Sequence, residues 1–395
     1  MNINPRRLVS IGAERVSHVS NTEFPGHYPD EDHSWNLDSF KKNLTVLTHR
    51  LSQRSIEFDI VGIDASIANA FRRIMIAEVP TIAIDQVYVF DNTSVIHDEV
   101  LAHRIGLVPL NVDPRTMDGW GGDGDTPTDR NTLEFRVNVQ CSFNAEYDTT
   151  DKRRKAATAT GSVNHNQNVS DEKLYTNYLF LSRHFEWNPA GEQLDKIKPV
   201  VLTPPDPLYP TYNDLKLPLL GALNPDIVLA KLRPGQAVEM VLHARKGVGK
   251  DHAKWSPVAT ASYRLHPNIV ITKPIRMERA EDFKACFAHG VVVVDKKKGT
   301  VSISPTHMRN DTVSREVLRD PEFRDSVELS RIRDHFIFAV ESESAYRPEE
   351  LLVEAIGVMR EKIARMREAA VALLGSEQTQ TEEREDGDVR MQDVV

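Results

Sequence analysis

Two stretches of the chain carry apolar residues at helical spacing, and several others alternate apolar with polar. Ile67, Ala70, Phe71, Ile74 and Met75 fall at i, i+3, i+4, i+7 and i+8, one stripe of a 3.6-residue period. Asp64 is placed to cap that helix, and Pro80 ends it at Val79 or before. Asn69, Arg72 and Arg73 take its polar side. Near the other end, Leu352, Ile356, Met359, Ile363, Met366, Ala370 and Leu373 are spaced by four and three in turn. That is a heptad seam. Pro348 suits the first turn of this second helix, and Glu349 and Glu350 suit its positive end. Glu361 and Arg365 add an i, i+4 pair, and Gly375 after Leu374 reads as a stop.

Strand patterns fill the space between. Leu44 to Ile60 is strand-like, clearest in S-I-E-F-D-I, and T-I-A-I-D-Q-V-Y-V-F follows the first helix. Asp91-Asn92 is turn chemistry, and His97 to Ile105 predicts a short helix closed by Gly106. Leu133 to Cys141, Asp226 to Leu232, Val238 to Ala244 and His335 to Glu341 are further strands, and residues 291–304 form a hairpin with a charged turn. Four stretches lack periodicity. Residues 1–43 read as a mobile or partner-draped arm, and M-D-G-W-G-G-D-G-D-T-P-T-D-R-N as a loop. Residues 148–172 read as a polar surface insertion, and T-P-P-D-P-L-Y-P at 203–210 excludes helix and central strand. There are no internal repeats.

Length adds a domain count: 395 residues predict two domains, with three possible. With 40% hydrophobic residues the chain can bury a sizeable core, yet no apolar run approaches the roughly 18 residues of a membrane span. The first residues lack a signal-peptide apolar core, so an intracellular protein is expected. The net charge of −9 argues against a protein built chiefly to grip nucleic acid. Residues 376–395 hold seven acids and two bases, which leaves the body near neutral; this acidic tail is expected to be disordered. K-R-R-K at 152–155 reads as a solvated loop ahead of a localisation signal or nucleic-acid contact. Cys141 and Cys286 form no ligand pattern and are expected as buried free thiols.

Candidate chemistry is sparse. R-K-G-V-G-K-D at 245–251 fails as a phosphate loop: Ala244 stands where the first glycine belongs, and Asp251 replaces the magnesium-binding hydroxyl. His243, His252 and His266 match no metal-ligand spacing. No nucleophile–base arrangement stands out, so no catalytic residue, cofactor or metal is assigned. Trp255 offers a large surface with one N–H to satisfy, and His252 and Lys254 add donors. A turn locked by Trp255 and an intersubunit contact are equally open.

The run D-A-S-I-A-N-A-F-R-R-I-M-I-A-E-V-P from Asp64, continued by H-D-E-V-L-A-H-R-I-G-L-V-P-L to Leu110, resembles the signature of the alpha-type subunits that scaffold RNA polymerases. H-A-K-W at 252–255 resembles an element of their eukaryotic and archaeal members, and 335–374 is a third block in the expected order. The chain looks like the larger alpha-like subunit shared by eukaryotic RNA polymerases I and III. Relatives often carry a cysteine cluster for zinc or iron–sulfur; two distant cysteines cannot build one, which favours the I/III type. The resemblance implies an α+β fold with a discontinuous dimerisation domain, 44–111 and 316–375, interrupted by an insert domain over 112–315. It implies a non-catalytic assembly subunit, in the nucleus including the nucleolus, with no membrane and no sequence-specific nucleic-acid role. Its partners would be a smaller alpha-like subunit, the second-largest subunit and small zinc-binding subunits. Ile67, Phe71 and Ile74 with the seam Leu352, Ile356, Met359, Ile363, Met366, Ala370 and Leu373 would form the heterodimer interface. A regular seam at the edge of the fold favours a partner helix over packing on the chain's own sheet. Arg72 and Arg73, matching an arginine pair of the bacterial relatives, would face a large subunit, together with His252, Lys254 and Trp255.

Overall fold

A computed structural model of the chain describes residues 4–19, 32, 34–119, 126–144, 174–200, 211–212, 217–218 and 220–392; side chains are not described at 211–212, 217–218 and 374–392. The main elements in chain order are β1 (Leu8–Ile11), β2 (Val16–Ser17), α1 (Leu37–Asn43), β3 (Thr45–Leu51), β4 (Ser55–Val61), α2 (Ala65–Ala77), β5 (Pro80–Asn92) and α3 (Asp98–Gly106). They continue with β6 (Thr132–Gln140), β7 (Glu186–Asn188), β8 (Ala237–Val248), β9 (Val258–Ile271), α4 (Ala280–Ala285), β10 (Val292–Asp295), β11 (Thr300–Ile303), β12 (Val327–Ser342) and α5 (Pro348–Gln392). Helices together with antiparallel strand pairs make this an α+β chain.

The chain divides into two discontinuous units, residues 1–72 with 261–340 and residues 73–260 with 341–395. These bounds differ from those expected. Residues 73–111 and the terminal helix group with the middle of the chain, because β5 pairs along its length with β8, from Pro80↔Val248 to Asn92↔Val238.

The first unit is built on a sheet of order β2-β1-β12-β4-β3, with β9 also pairing β12. The arm expected over 1–43 is partly structured. β1 pairs antiparallel with β12, Leu8↔Ile332 to Ser10↔Ser330, and the Arg7 guanidinium donates to Asp334 at 2.8 Å. Its apolar residues explain this, since Ile11 joins a core with Ile269, Phe283, Phe323 and Leu329. Residues 20–31 and 33 of the arm lie outside the described residues. In β4 the alternation of S-I-E-F-D-I buries Ile56 and Phe58, and Phe58 stacks on Phe338 with ring centroids 5.2 Å apart.

The same strand buries a carboxylate. Asp59 Oδ2 accepts from His49 and His335, each at 2.9 Å, and Oδ1 accepts from Arg309 at 2.9 Å. Burial pulls the Asp59 carboxyl upward, but the His335 hydrogen bond and the Arg309 and histidine charges outweigh it and hold it below the usual range. His266 stacks on His335 at 4.3 Å. Burial, helped by the His335 charge, pushes its imidazole down to about 4.

The second unit holds a four-stranded sheet of order β7-β6-β8-β5. The alternation T-L-E-F-R-V-N-V-Q puts Leu133, Phe135, Val137 and Val139 inward. With Leu101 and Ile105 of α3 and Val238, Met240 and Leu242 of β8 they form one core. Cys141 is buried there as a free thiol, and Cys286, also free, is half-buried in the first unit. Gly106 is the last residue of α3 rather than the residue beyond it; Leu107 is the cap. Residues 148–172 and 203–210, with their expected loops, lie outside the described residues.

α5 is longer than expected. It passes Gly375 and continues to Gln392, across most of the tail expected to be disordered. One interior glycine weakens a helix by only about 1 kcal/mol, which need not end a long run.

Candidate subunit interface

Asp64 starts α2 as its chemistry requires: its Oδ2 accepts from Ser66 N at 2.8 Å and from the Ser66 hydroxyl at 2.5 Å. The Ser66 hydroxyl bond, against the pull of burial, holds the Asp64 carboxyl below the usual range. The stripe read from the sequence is only partly core. Ile74 and Met75 are buried together with Ala68, whereas Ile67, Ala70 and Phe71 are half-buried. Ile74 therefore already serves this chain's own packing and offers no open surface to a partner. Of the two arginines, Arg73 is exposed, while Arg72 is half-buried and donates to Asn69 Oδ1 at 3.0 Å.

α5 begins firmly seated. Tyr346, just before it, is buried and donates its hydroxyl to Pro80 O at 3.0 Å, and burial pushes its phenol up. Ser342 donates to Tyr346 O at 2.7 Å, and Arg347 N donates to Glu350 at 3.0 Å. Arg115, 235 residues before Glu350, reaches Glu350 and Glu354 at 3.2 and 3.6 Å. Leu351 and Ala355, one turn apart, point into the core.

Those two residues are not on the heptad seam. Leu352 and Met359 are half-buried, Ile356 is 40% exposed, Ile363 55%, Met366 72% and Leu373 67%. Ala370 is exposed as well. From Arg360 to Leu373 every residue is exposed, so this part of the helix rests on no core of its own. Lys362 ties it back: its Nζ donates to both carboxylate oxygens of Glu78, just past α2, at 2.8 and 2.7 Å. Full burial of an isoleucine side chain is worth about 1.5–3 kcal/mol. A regular row of such residues in water leaves apolar area uncovered at heptad spacing.

The H-A-K-W element resolves differently. Trp255 is half-buried, donates Nε1–H to Arg245 O at 3.1 Å, and its own carbonyl accepts from Thr81 at 2.6 Å. Its indole lies against Gly247, where a Cβ would come within 2.5 Å of the ring. Lys254 Nζ sits 2.7 Å from Asp85 Oδ1 and 4.3 Å from the centroid of the Trp255 ring. Both side chains are thus engaged within the chain, as a locked turn. His252 is exposed, its Nδ1 accepting from Lys254 N at 3.1 Å.

Lys362, Tyr346 and Arg115 were not read from the sequence as site residues. Their partners lie far away along the chain, and only the acidic first turn of α5 gave a local signal. Among the described residues, no group of three or more His, Cys, Asp or Glu side chains is placed to hold a metal ion. Among those residues no helix is long and apolar enough to cross a membrane.

The family pattern described as the RNA polymerase Rpb3/Rpb11 dimerisation domain matches residues 57–363. The "DNA-directed RNA polymerases I and III subunit RPAC1" of Bos taurus is 42% identical, over 91% of this chain and 94% of its own. The protein of the same name from Homo sapiens is 41% identical over 91% and 94%. That from Saccharomyces cerevisiae is 42% identical over 90% and 96%.

Proposed function

We infer that this chain, which belongs to the RNA polymerase Rpb3/Rpb11 dimerisation family, is a non-catalytic assembly subunit of RNA polymerases I and III. It pairs with a smaller alpha-like subunit, and the pair supports the second-largest subunit and small zinc-binding subunits. The observation that carries this reading is the exposed heptad row Ile356, Ile363 and Met366 on α5. The half-buried Ile67 and Phe71 of α2 are assigned to the same partner in this reading. The match to subunits named for polymerases I and III supports the assignment to those enzymes, and the nucleus with its nucleolus is the location that this reading implies. Arg73 is the exposed member of the pair expected to face a large subunit, and exposed His252 is the part of H-A-K-W open to such a contact. In the discontinuous dimerisation domain proposed here, residues 44–111 and 316–375 are the two segments and 112–315 form the insert.

Affinity purification of the tagged full-length chain from nuclei tests this. Stoichiometric recovery of a smaller alpha-like subunit and of the large subunits of both polymerases is expected. Recovery of the chain alone, or with a single unrelated protein, would sink the reading.

A further inference from the structure

Residues 88–100 hold an exposed stretch outside the heptad row of α5. The bend after β5 is held from within. Asn92 Nδ2 donates to Ile96 O at 2.9 Å and to Asp98 Oδ1 at 2.6 Å, while Asn92 Oδ1 accepts from the Ser94 hydroxyl at 2.7 Å. Ser94 Oγ in turn accepts from Ile96 N at 3.2 Å. Thr93 fastens the bend to β8: its N–H donates to Ala237 O at 3.0 Å, and its Oγ accepts from Ala237 N at 2.7 Å. Asn92 and Ser94 are half-buried and Ile96 packs on the core, but Val95 is 82% exposed, and Phe90, at 68%, and Val100 are exposed as well. Large apolar side chains left in water on one fixed bend mark interaction sites.

The rim carries one sign of charge. Asp91, Asp98 and Glu99 are exposed, and from Tyr88 to Val100 there is no lysine or arginine. Asp98 and Glu99 also suit the N-terminus of α3. Asp91 lies in β5, outside any helix, and pairs across the ladder with the exposed Glu239 of β8. Acids at this density repel phosphate, which disfavours nucleic acid, and two copies of one acidic surface repel each other. A bend already fixed by its own hydrogen bonds loses little entropy on docking.

We propose that the 88–100 bend is a second docking surface, for a basic segment of another polymerase subunit whose apolar pocket receives Val95. Phe90 and Val100 flank that anchor, and Asp91, Asp98 and Glu99 meet the partner's lysines or arginines. This rests on the assembly reading above.

The test uses polymerase affinity-purified on the full chain with a photo-crosslinking phenylalanine analogue at position 95. A single adduct to a peptide of another subunit, rich in lysine or arginine, is expected. An adduct to a second copy of this chain, to nucleic acid or to an acidic peptide, or no adduct, overturns the proposal. As a companion, Val95→Asp with Phe90→Ser should lower recovery of one subunit at least tenfold and leave the smaller alpha-like subunit at full stoichiometry. The charge reversals Asp91→Lys and Glu99→Lys, with unchanged thermal melting, should lower the same subunit. Full retention of every subunit in both variants, or loss of the smaller alpha-like subunit too, overturns it. A wild-type chain that recovers no polymerase subunits removes the assembly reading, and this surface with it.

Discussion

Lys362 and Glu78 are 284 residues apart in sequence, yet the ammonium lies within 2.8 Å of both carboxylate oxygens. The pair holds the middle of α5 beside the end of α2 while the seam stays open to solvent. An exposed ion pair contributes about 0–1 kcal/mol, so it orients the helix more than it stabilises the chain.

Replacing Ile356 and Ile363 together with Asp should leave the isolated chain folded. Both are exposed, and such substitutions usually change stability by about half a kcal/mol. In the assembled pair each would place an unpaired charge in an apolar contact, at a penalty of at least a few kcal/mol. Co-expression with the smaller alpha-like subunit should then yield no complex. Wild-type co-purification would show that the seam lies elsewhere.

Arg73→Glu separates two roles that the sequence left merged. Arg73 projects into solvent and Arg72 is bonded to Asn69, so only Arg73 is open to a bidentate contact with a partner carboxylate. The variant should keep the heterodimer and lose much of the second-largest subunit from the purified assembly. Loss of the heterodimer itself would assign the arginine a structural role instead.

Gly247→Ala probes the locked turn. The added methyl would stand 2.5 Å from the Trp255 indole, which is pinned by its bond to Arg245 O. Overpacking of this kind costs about 1–3 kcal/mol. Thermal unfolding of the variant should shift down, and an unchanged midpoint would mean that the indole is free to move.

Acid should weaken the fold before ordinary carboxylates titrate. His266 stays neutral in the folded chain down to about pH 4, whereas an unfolded imidazole takes up its proton near 6.5. Between those values the unfolded chain binds more protons, so stability is whole above 6.5 and falls as pH drops toward 4. Asp59, with its lowered carboxyl, adds a further loss below the ordinary value of 3.8. Urea midpoints at pH 7.5 and 5 should differ more for the native chain than for His266→Phe, which keeps a ring on His335; His184 and His243, also held down by burial, add the same drop to both. An equal drop in both proteins would place the sensitive group elsewhere.

Local periodicity sufficed wherever one face of an element meets a core. The alternation of β6 and the capped stripe of α2 were readable for that reason. What escaped depended on distant partners. β1 looked like part of a mobile arm because its ladder partner, Ile332, lies more than three hundred residues away. Gly375 looked like a stop because glycine's preference is only a weak local prior. In the candidate interface the heptad row was visible as spacing, but spacing alone could not distinguish Leu351 and Ala355, which face inward, from Ile356 and Ile363, which do not. The Asn92–Ser94 lock was legible only as a turn, since its bonds run between side chains.

The ladder joining β1 to β12 also sets a timetable for synthesis. A ribosome delivers β1, β3, β4 and the start of α2 early, but the strand lying between β1 and β4 in their sheet is β12, from Val327 to Ser342. Until those residues emerge, the first strands wait with open edges for most of translation. Domains completed late in this way leave unpaired edges exposed to aggregation. Nascent chains truncated before Val327 should therefore accumulate on chaperones, and the newborn subunit is most vulnerable before it meets any partner.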